Sequence, residues 1–174
     1  MAVLLAVSGC SDRVYLDRPL GHFPDEPSGA VCAPFADERE TFAGNVGPLM
    51  HEQGRVPVTI TGVSLVGARG MRLVDAVLTP ENGTASGAAY PPESEVNTGP
   101  AWDQRIPAEG AVIEPGETWW LVVGLRAENR HAGVEHIEVD YRDAAGARYR
   151  FRAGKSYYLL PDCDEDWQGW GGGL

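Results

Sequence analysis

Short apolar runs separated by glycine and proline dominate the chain, and the clearest of them is the segment at residues 117–126, Glu-Thr-Trp-Trp-Leu-Val-Val-Gly-Leu-Arg. It follows Pro115-Gly116, a pair that favours a tight turn because proline fixes φ at one central position and glycine accepts a positive φ at the next. Apolar and aromatic side chains occupy consecutive positions, so both faces of the segment are hydrophobic. The pattern predicts a strand at the centre of a sheet, buried on both sides.

Alternating apolar and polar positions predict further strands before and after this segment. Residues 143–146, Asp-Ala-Ala-Gly, predict a hairpin turn whose return strand places arginines opposite Glu138 and Asp140. A short helix competes with a strand at residues 71–78, but the glycine-rich flanks favour the strand. The other predicted strands are residues 40–50, 56–65, 111–113, 134–142, 147–152 and 157–160. Short strands with frequent turns and no clear helix predict an all-β fold, a single antiparallel immunoglobulin-like β-sandwich of about seven or eight strands.

Composition divides the chain into four parts. Residues 1–10 resemble a truncated lipoprotein signal, residues 11–36 an irregular tether and N-terminal arm, residues 37–163 the sandwich, and residues 164–174 a flexible acidic tail rich in tryptophan and glycine. Within the sandwich, residues 80–105 form a connection that is long for a compact domain, which is typical of functional or disordered loops.

The net charge of the chain disfavours two classes of binding partner, nucleic acids and anionic membrane surfaces. The formal charge is −11 over 174 residues, so nucleic-acid binding lacks its main electrostatic driving force. An anionic membrane surface repels such a chain as well, so membrane attachment must be hydrophobic or covalent. No stretch approaches the length of apolar sequence that a membrane-spanning helix needs.

The N-terminus suggests a covalent anchor. Val7-Ser8-Gly9-Cys10 resembles a bacterial lipobox, in which small residues precede a cysteine that receives a diacylglycerol thioether. The preceding apolar run is short and lacks a basic region, both of which an upstream start codon explains. We expect a protein anchored by lipid on the extracytoplasmic face of the cell membrane, with a secreted protein as the alternative. An apolar N-terminus of a cytosolic protein is a third possibility.

Whether the other two cysteines are expected to form a disulfide depends on whether the first is lipidated. The chain has three cysteines, so lipidation of Cys10 leaves Cys32 and Cys163 as a candidate disulfide near the two ends of the folded region. Two unrelated free thiols fit the odd count equally well if Cys10 is not modified.

Several of these elements together resemble a known group of proteins. The Val-Pro-Val-Thr-Ile-Thr-Gly-Val-Ser-Leu-Val segment at residues 56–66, with residues 70–73, 113–117 and 139–146, is similar to uncharacterised immunoglobulin-like secreted proteins and lipoproteins of high-GC Gram-positive bacteria. The resemblance covers about residues 40–160. It implies a fold and a location outside the cytoplasm, and it carries no catalytic residue.

The spacing of the residues does not support a catalytic or metal-binding site. Cys163 lacks the nearby His and Met of a copper site, and the acidic run from Asp162 lacks the glycine and final glutamate of a calcium loop. No serine lies in Gly-x-Ser-x-Gly, and no Cys–His pairing suggests a nucleophile. We expect four solvent-exposed histidines, no cofactor and no enzyme activity.

Aromatic residues give the one positive indication of binding. Tyr90 and Trp102 lie in or beside the long connection, where exposed rings stack on sugars or anchor protein interfaces. Alternatively, Trp102 packs beneath the connection as a lid on the core. The sequence therefore favours a non-enzymatic interaction module that binds a protein or cell-envelope component. A carbohydrate- or small-ligand-binding module using Tyr90 and Trp102 is the alternative.

Overall fold

The computed structural model describes residues 14–16, 19–21, 29–34, 41–52, 54–81, 86–92, 100–153 and 155–164. Its strands are β1 (Val14–Leu16), β2 (Gly29–Pro34), β3 (Thr41–Met50), β4 (Val58–Val66), β5 (Met71–Thr79), β6 (Ile106–Pro107), β7 (Val112–Ile113), β8 (Thr118–Ala127), β9 (Ala132–Val134), β10 (His136–Asp143), β11 (Arg148–Arg152) and β12 (Lys155–Leu160). A short 3-10 helix, Trp102–Gln104, precedes β6. The described residues form an all-β sandwich, as the sequence predicts, but they contain twelve strands rather than seven or eight.

The strands form three sheets. The first has the order β1-β11-β10-β4-β7, the second β3-β8-β5-β6, and a small third sheet β2-β12-β9. The first two sheets pack face to face. Most neighbouring strands are antiparallel, but β1 pairs with β11 and β2 pairs with β12 in parallel.

Strand β8 is the buried centre of the second sheet. It pairs with β3 on one side and with β5 on the other. Leu121, Val123 and Leu125 lie in the main core between the sheets, while Val122 lies in a second apolar cluster on the opposite face. Strand β8 is therefore covered on both faces, which confirms the prediction from its continuous apolar sequence.

The N-terminal arm contains two strands that the sequence analysis did not predict. Strand β1 extends the first sheet beside β11, and β2 extends the third sheet beside β12. Between them, Leu20 is fully buried, and its backbone N–H donates to the hydroxyl of Tyr141 at 3.2 Å. This described part of the arm is integrated into the sheets, so an irregular arm is the wrong description of it.

The disulfide joins the arm to the C-terminal end of the domain. Cys32 of β2 is bonded to Cys163, at a sequence separation of 131. The predicted pair is thus the bonded pair. Because β2 already pairs with β12 just before Cys163, the covalent bond reinforces an existing strand contact.

The remaining predicted strands differ from the structure mainly at their ends. Strand β4 starts at Val58 rather than residue 56, and the segment predicted at residues 134–142 divides into β9 and β10 around Glu135. Residues 71–78 form a strand rather than the competing helix, because β5 pairs with β8 along its length.

Candidate functional site

The long connection folds over one edge and one face of the second sheet. The backbone N–H of Ala43 donates to the carbonyl of Ala88, and the N–H of Tyr90 donates to the carbonyl of Thr41. These bonds, with the N–H of Asn45 donating to the Ser86 hydroxyl, cover the outer edge of β3. The described part of the connection is therefore structured.

Tyr90 and Trp102, the two predicted binding residues, lie against each other on the outer face of this sheet. Their ring centroids are 5.7 Å apart in a perpendicular arrangement. Trp102 is only 7% exposed and packs against Ala43, Val77 and Val122. Its ring forms a lid on the second apolar cluster, and a ring this buried presents no open face for a sugar.

Tyr90 occupies a space that a glycine leaves open. A Cβ atom at Gly124 of β8 would lie 2.6 Å from Cδ1 of Tyr90, well inside contact distance. The Tyr90 hydroxyl donates to the Asp75 carboxylate at 2.6 Å. Burial, together with this hydrogen bond and the negative charge of Asp75, raises the pKa of Tyr90. Arg105 lies 4.7 Å above the Trp102 ring, which completes a tightly packed cluster.

Tyr90 also borders a cleft of about 330 Å³ between the connection and the end of the third sheet. Its other walls include Pro34, Phe42, Ala89 and Leu159. Two of these four, Pro34 and Ala89, are exposed, so the cleft opens to solvent. This cleft is not predictable from the sequence, because its walls come from four separate segments.

A second depression lies where the sandwich is open on one side, between β4 of the first sheet and β5 of the second. Its volume is about 340 Å³. We call it the open groove, defined by the residues that line it: Val63, Leu73, Val74, Asp75, Ala76, Pro107 and Glu109.

The open groove is bounded by two strand edges that the described strands pair with only in part. Strand β7 covers only Val58 and Thr59 of β4, and β6 covers only Val77 and Leu78 of β5. Among the described residues, no strand pairs with the outer edge of residues 61–66 or of residues 71–75. Unpaired N–H and C=O groups on such edges form a template for another strand.

The side chains between these edges are apolar and incompletely covered. Val63, Leu65, Leu73 and Ala76 pack against the main core while remaining partly accessible. Val74, at an irregularity in the pairing of β5 with β8, is 40% exposed. The groove therefore combines two strand edges with which no described strand pairs and a floor of partly accessible apolar side chains.

The outer face of the first sheet carries charge. Burial alone would raise the pKa of the Glu138 carboxyl, but the hydrogen bond from Arg152 and the charges of Arg150 and Arg152 lower it. Arg152 donates to Glu138 at 2.8 Å, and Arg150 donates to Asp140 at 2.7 Å. These pairs confirm the predicted hairpin arrangement of arginines opposite acids.

Two of the three described histidines depart from the expectation of solvent exposure, since the side chain of His136 is only 18% exposed and His51 is buried. His22 lies outside the described residues. His51, just after β3, is fully buried; its Nε2 donates to the Val56 carbonyl at 2.8 Å, and its Nδ1 has no hydrogen-bond partner among the described residues. The apolar residues before it, Leu49 and Met50, were the signal that this position faces the core. In the described part of the chain, no group of three or more His, Cys, Asp or Glu side chains is placed to hold a metal ion.

Two predicted features lie outside the described residues, namely Cys10 and the tail after Asp164. Within the described ranges, no helix has the length and apolar character needed to cross a bilayer.

Comparison with known proteins yields one structural likeness. The chain is similar to the PapD-like domain 7, an ASH domain, of human CEP192, with 10% sequence identity and a TM-score of 0.40 over 93% of this chain and 98% of that chain. No protein-family model and no curated protein matches the sequence.

Proposed function

We propose that this protein is a non-enzymatic interaction module of the cell envelope whose partner adds an extended segment to β4 at the open groove. The observation that carries the proposal is a pair of strand edges, with no strand partner among the described residues, that flank partly accessible apolar side chains. Strand addition uses these features together, since the backbone of the edge supplies hydrogen bonds and alternate side chains of the incoming segment enter the groove.

The side chains that line the groove indicate which kind of partner segment it accepts. Val63, Leu73 and Ala76 favour small or medium apolar side chains at every second position of the partner. Asp75 and Glu109 lie at the rim and favour a basic residue at one end. The partner is thus an extended, alternating apolar segment with a neighbouring positive charge.

The cellular location is part of the proposal. The lipobox-like sequence ending at Cys10 supports lipid anchoring on the extracytoplasmic face of the membrane. The disulfide between Cys32 and Cys163 supports an oxidising compartment, since such bonds are rare in a reducing cytosol.

The strand-addition proposal is tested by placing a charge in the groove. Val63→Lys puts an ammonium group among its apolar side chains, and we expect loss of the protein that co-purifies with the wild-type chain from envelope extracts. Val112→Lys is the matched control, because Val112 is 48% exposed on β7, outside the groove. Equal retention of the partner by both variants would refute groove binding.

The proposed location is tested by intact mass. We expect a chain beginning at Cys10 with a diacylglycerol-sized mass increase, and alkylation of Cys32 and Cys163 only after reduction. An unmodified chain with three free thiols would contradict export and anchoring.

A second candidate, small-ligand binding, is favoured by the cleft beside Tyr90. A sugar or other small ligand bound there would contact Tyr90 and Phe42 rather than the buried Trp102. Quenching of tryptophan fluorescence across a glycan panel, abolished by Tyr90→Ala, would support this candidate, and no quenching would exclude glycans.

A further inference from the structure

The carboxylate of Asp75, at the rim of the open groove, is held by two internal hydrogen bonds. Its Oδ1 accepts the backbone N–H of Ala76 at 2.8 Å, and its Oδ2 accepts the hydroxyl of Tyr90 at 2.6 Å. One bond at each oxygen restricts rotation of the carboxylate. Asp75 is nevertheless exposed and lines the groove, so a ligand in the groove can still reach its charge.

Tyr90 is itself fixed by its packing on the second sheet. Its ring lies over Gly124 and meets the Trp102 ring at a centroid distance of 5.7 Å. Gly124 is the register partner of Asp75 on the neighbouring strand, so the ring that covers the glycine carries its hydroxyl to the residue opposite. Burial and the bond to Asp75 raise the pKa of Tyr90, which keeps the hydroxyl protonated as a donor.

Strand β5 is irregular at this point. Its register with β8 shifts between Leu73 and Asp75, and Val74 at the shift is 40% exposed. Irregularities of this kind bend a strand and change the direction of its side chains, often beside binding sites. Val74 and Asp75 both line the groove, so an apolar and an anionic side chain stand next to each other at its rim.

The two internal bonds leave the Asp75 carboxylate able to accept further hydrogen bonds. An ionised carboxylate has about four acceptor sites, two on each oxygen, so each oxygen of Asp75 keeps one. A guanidinium presents two parallel N–H groups in a rigid plane, which match two carboxylate oxygens, whereas an ammonium acts as a point charge. A carboxylate that is already oriented favours the rigid donor, because less freedom is lost when the pair forms.

We propose that Asp75, positioned by Tyr90, makes the open groove selective for arginine at the basic position of the partner segment. This inference rests on the proposed strand addition at the groove and adds the identity of the basic residue. Glu109 lines the same groove and contributes negative charge to it. The neighbouring Arg105 is engaged elsewhere, since it donates to the Trp102 carbonyl at 2.9 Å and lies over the Trp102 ring.

Three synthetic peptides test the preference. Each has about eight residues, the length of an ordinary strand, with valine at every second position and serine or threonine between. They differ only in a terminal residue, which is arginine, lysine or citrulline, the neutral analogue of arginine, and each is made with that residue first or last. Fluorescence anisotropy of a dye at the other end measures binding to the full chain with its disulfide formed. In one direction, we expect the arginine peptide to bind about fivefold tighter than the lysine peptide, and citrulline to bind most weakly.

Tyr90→Phe separates positioning from packing, because it removes the hydroxyl and keeps the ring over Gly124. We expect its affinity for the lysine peptide to stay within about twofold of wild type, while its preference for arginine over lysine falls below about twofold. Asp75→Asn should remove the preference for either basic residue over citrulline. Tyr149→Phe is the matched control, since it removes a hydroxyl that donates to Asp143 at 2.9 Å, outside the groove, and should leave every affinity unchanged.

The other outcomes separate this inference from the strand addition on which it rests. Equal binding of the arginine and lysine peptides by the wild type, lost in Val63→Lys, would overturn the arginine preference and leave strand addition standing. A preference that is unchanged or larger in Tyr90→Phe would show that Tyr90 does not position Asp75. Absence of binding by every peptide, or binding that Val63→Lys does not weaken, would refute strand addition at the groove and this inference with it.

Discussion

Substitution of Gly124 by alanine should destabilise the protein, although alanine is the better residue for a strand. The added Cβ would lie 2.6 Å and 2.7 Å from ring carbons of Tyr90 and 3.0 Å from Cγ2 of Val74. The Tyr90 ring cannot move freely, because its hydroxyl is bonded to Asp75 and its edge contacts Trp102. The ring must therefore leave its site or the strands must separate.

The expected magnitude follows from opposing contributions. Overpacking costs about 1–3 kcal/mol, and loss of an aromatic pair costs about 0.5–1.5 kcal/mol. Replacing glycine in a strand recovers about 0.5–1 kcal/mol of backbone entropy. We expect Gly124→Ala to lower the free energy of unfolding by about 2 kcal/mol, measured by urea denaturation with tryptophan fluorescence.

A double-mutant cycle isolates the cause. When Tyr90→Ala has removed the ring, Gly124→Ala should be neutral or slightly stabilising, a coupling of about 2 kcal/mol. Gly62→Ala is the control, because its Cβ would meet no atom within 4 Å. If Gly124→Ala destabilises equally with and without the Tyr90 ring, the explanation by close packing is wrong.

Three further perturbations test the account of the fold. Replacing Cys32 and Cys163 by serine should lower the free energy of unfolding by up to about 5 kcal/mol, because the bond closes a loop of 131 residues; a change below about 1 kcal/mol in urea denaturation would contradict this. Because the pKa of Glu138 is lowered in the folded state, its ionised carboxylate stabilises the fold fully above the ordinary carboxyl pKa of about 4.3, and this stabilisation is lost as pH falls through the lowered pKa. Glu138→Gln should therefore be less stable than the wild type at neutral pH, and its stability should fall less steeply as pH is lowered, measured by thermal unfolding from pH 7 to pH 3. An equally steep fall in the two proteins would contradict the ion-pair explanation. Gly54→Ala should cost about 1–3 kcal/mol, since the new Cβ would overlap the His51 ring, and the cost should shrink in a His51→Ala background.

The sequence predicts those strands of this fold whose own residues show a clear pattern of apolar and polar positions. The continuous apolar run of β8 required two covered faces, and the alternation in β10 and β11 required a hairpin with one charged face. Strands β1 and β2 were missed, because their parallel partners lie more than a hundred residues away and their own sequences show no clear period. Pairing at that distance leaves no local signal.

The candidate site was predicted only in part for a related reason. The sequence indicated that Tyr90 and Trp102 matter and allowed that Trp102 packs as a lid, but the glycine that seats Tyr90 lies on another strand. The open groove exists because no described strand pairs with part of the outer edges of β4 and β5. This depends on the strand order of both sheets, which the local sequence does not indicate. His51 was expected in solvent with the other histidines, whereas the turn at residues 54–56 covers it.

Photo-cross-linking in the producing cell tests the central claim that a partner occupies the open groove. A photoreactive amino acid replaces either Val74, which lines the groove and is 40% exposed, or Val112, which lies outside it and is 48% exposed. Binding at the groove predicts a discrete protein adduct from position 74 and none from position 112, and the cross-linked peptide of the partner should have alternating apolar residues. No adduct at position 74, or the same adduct from both positions, would contradict binding at the groove.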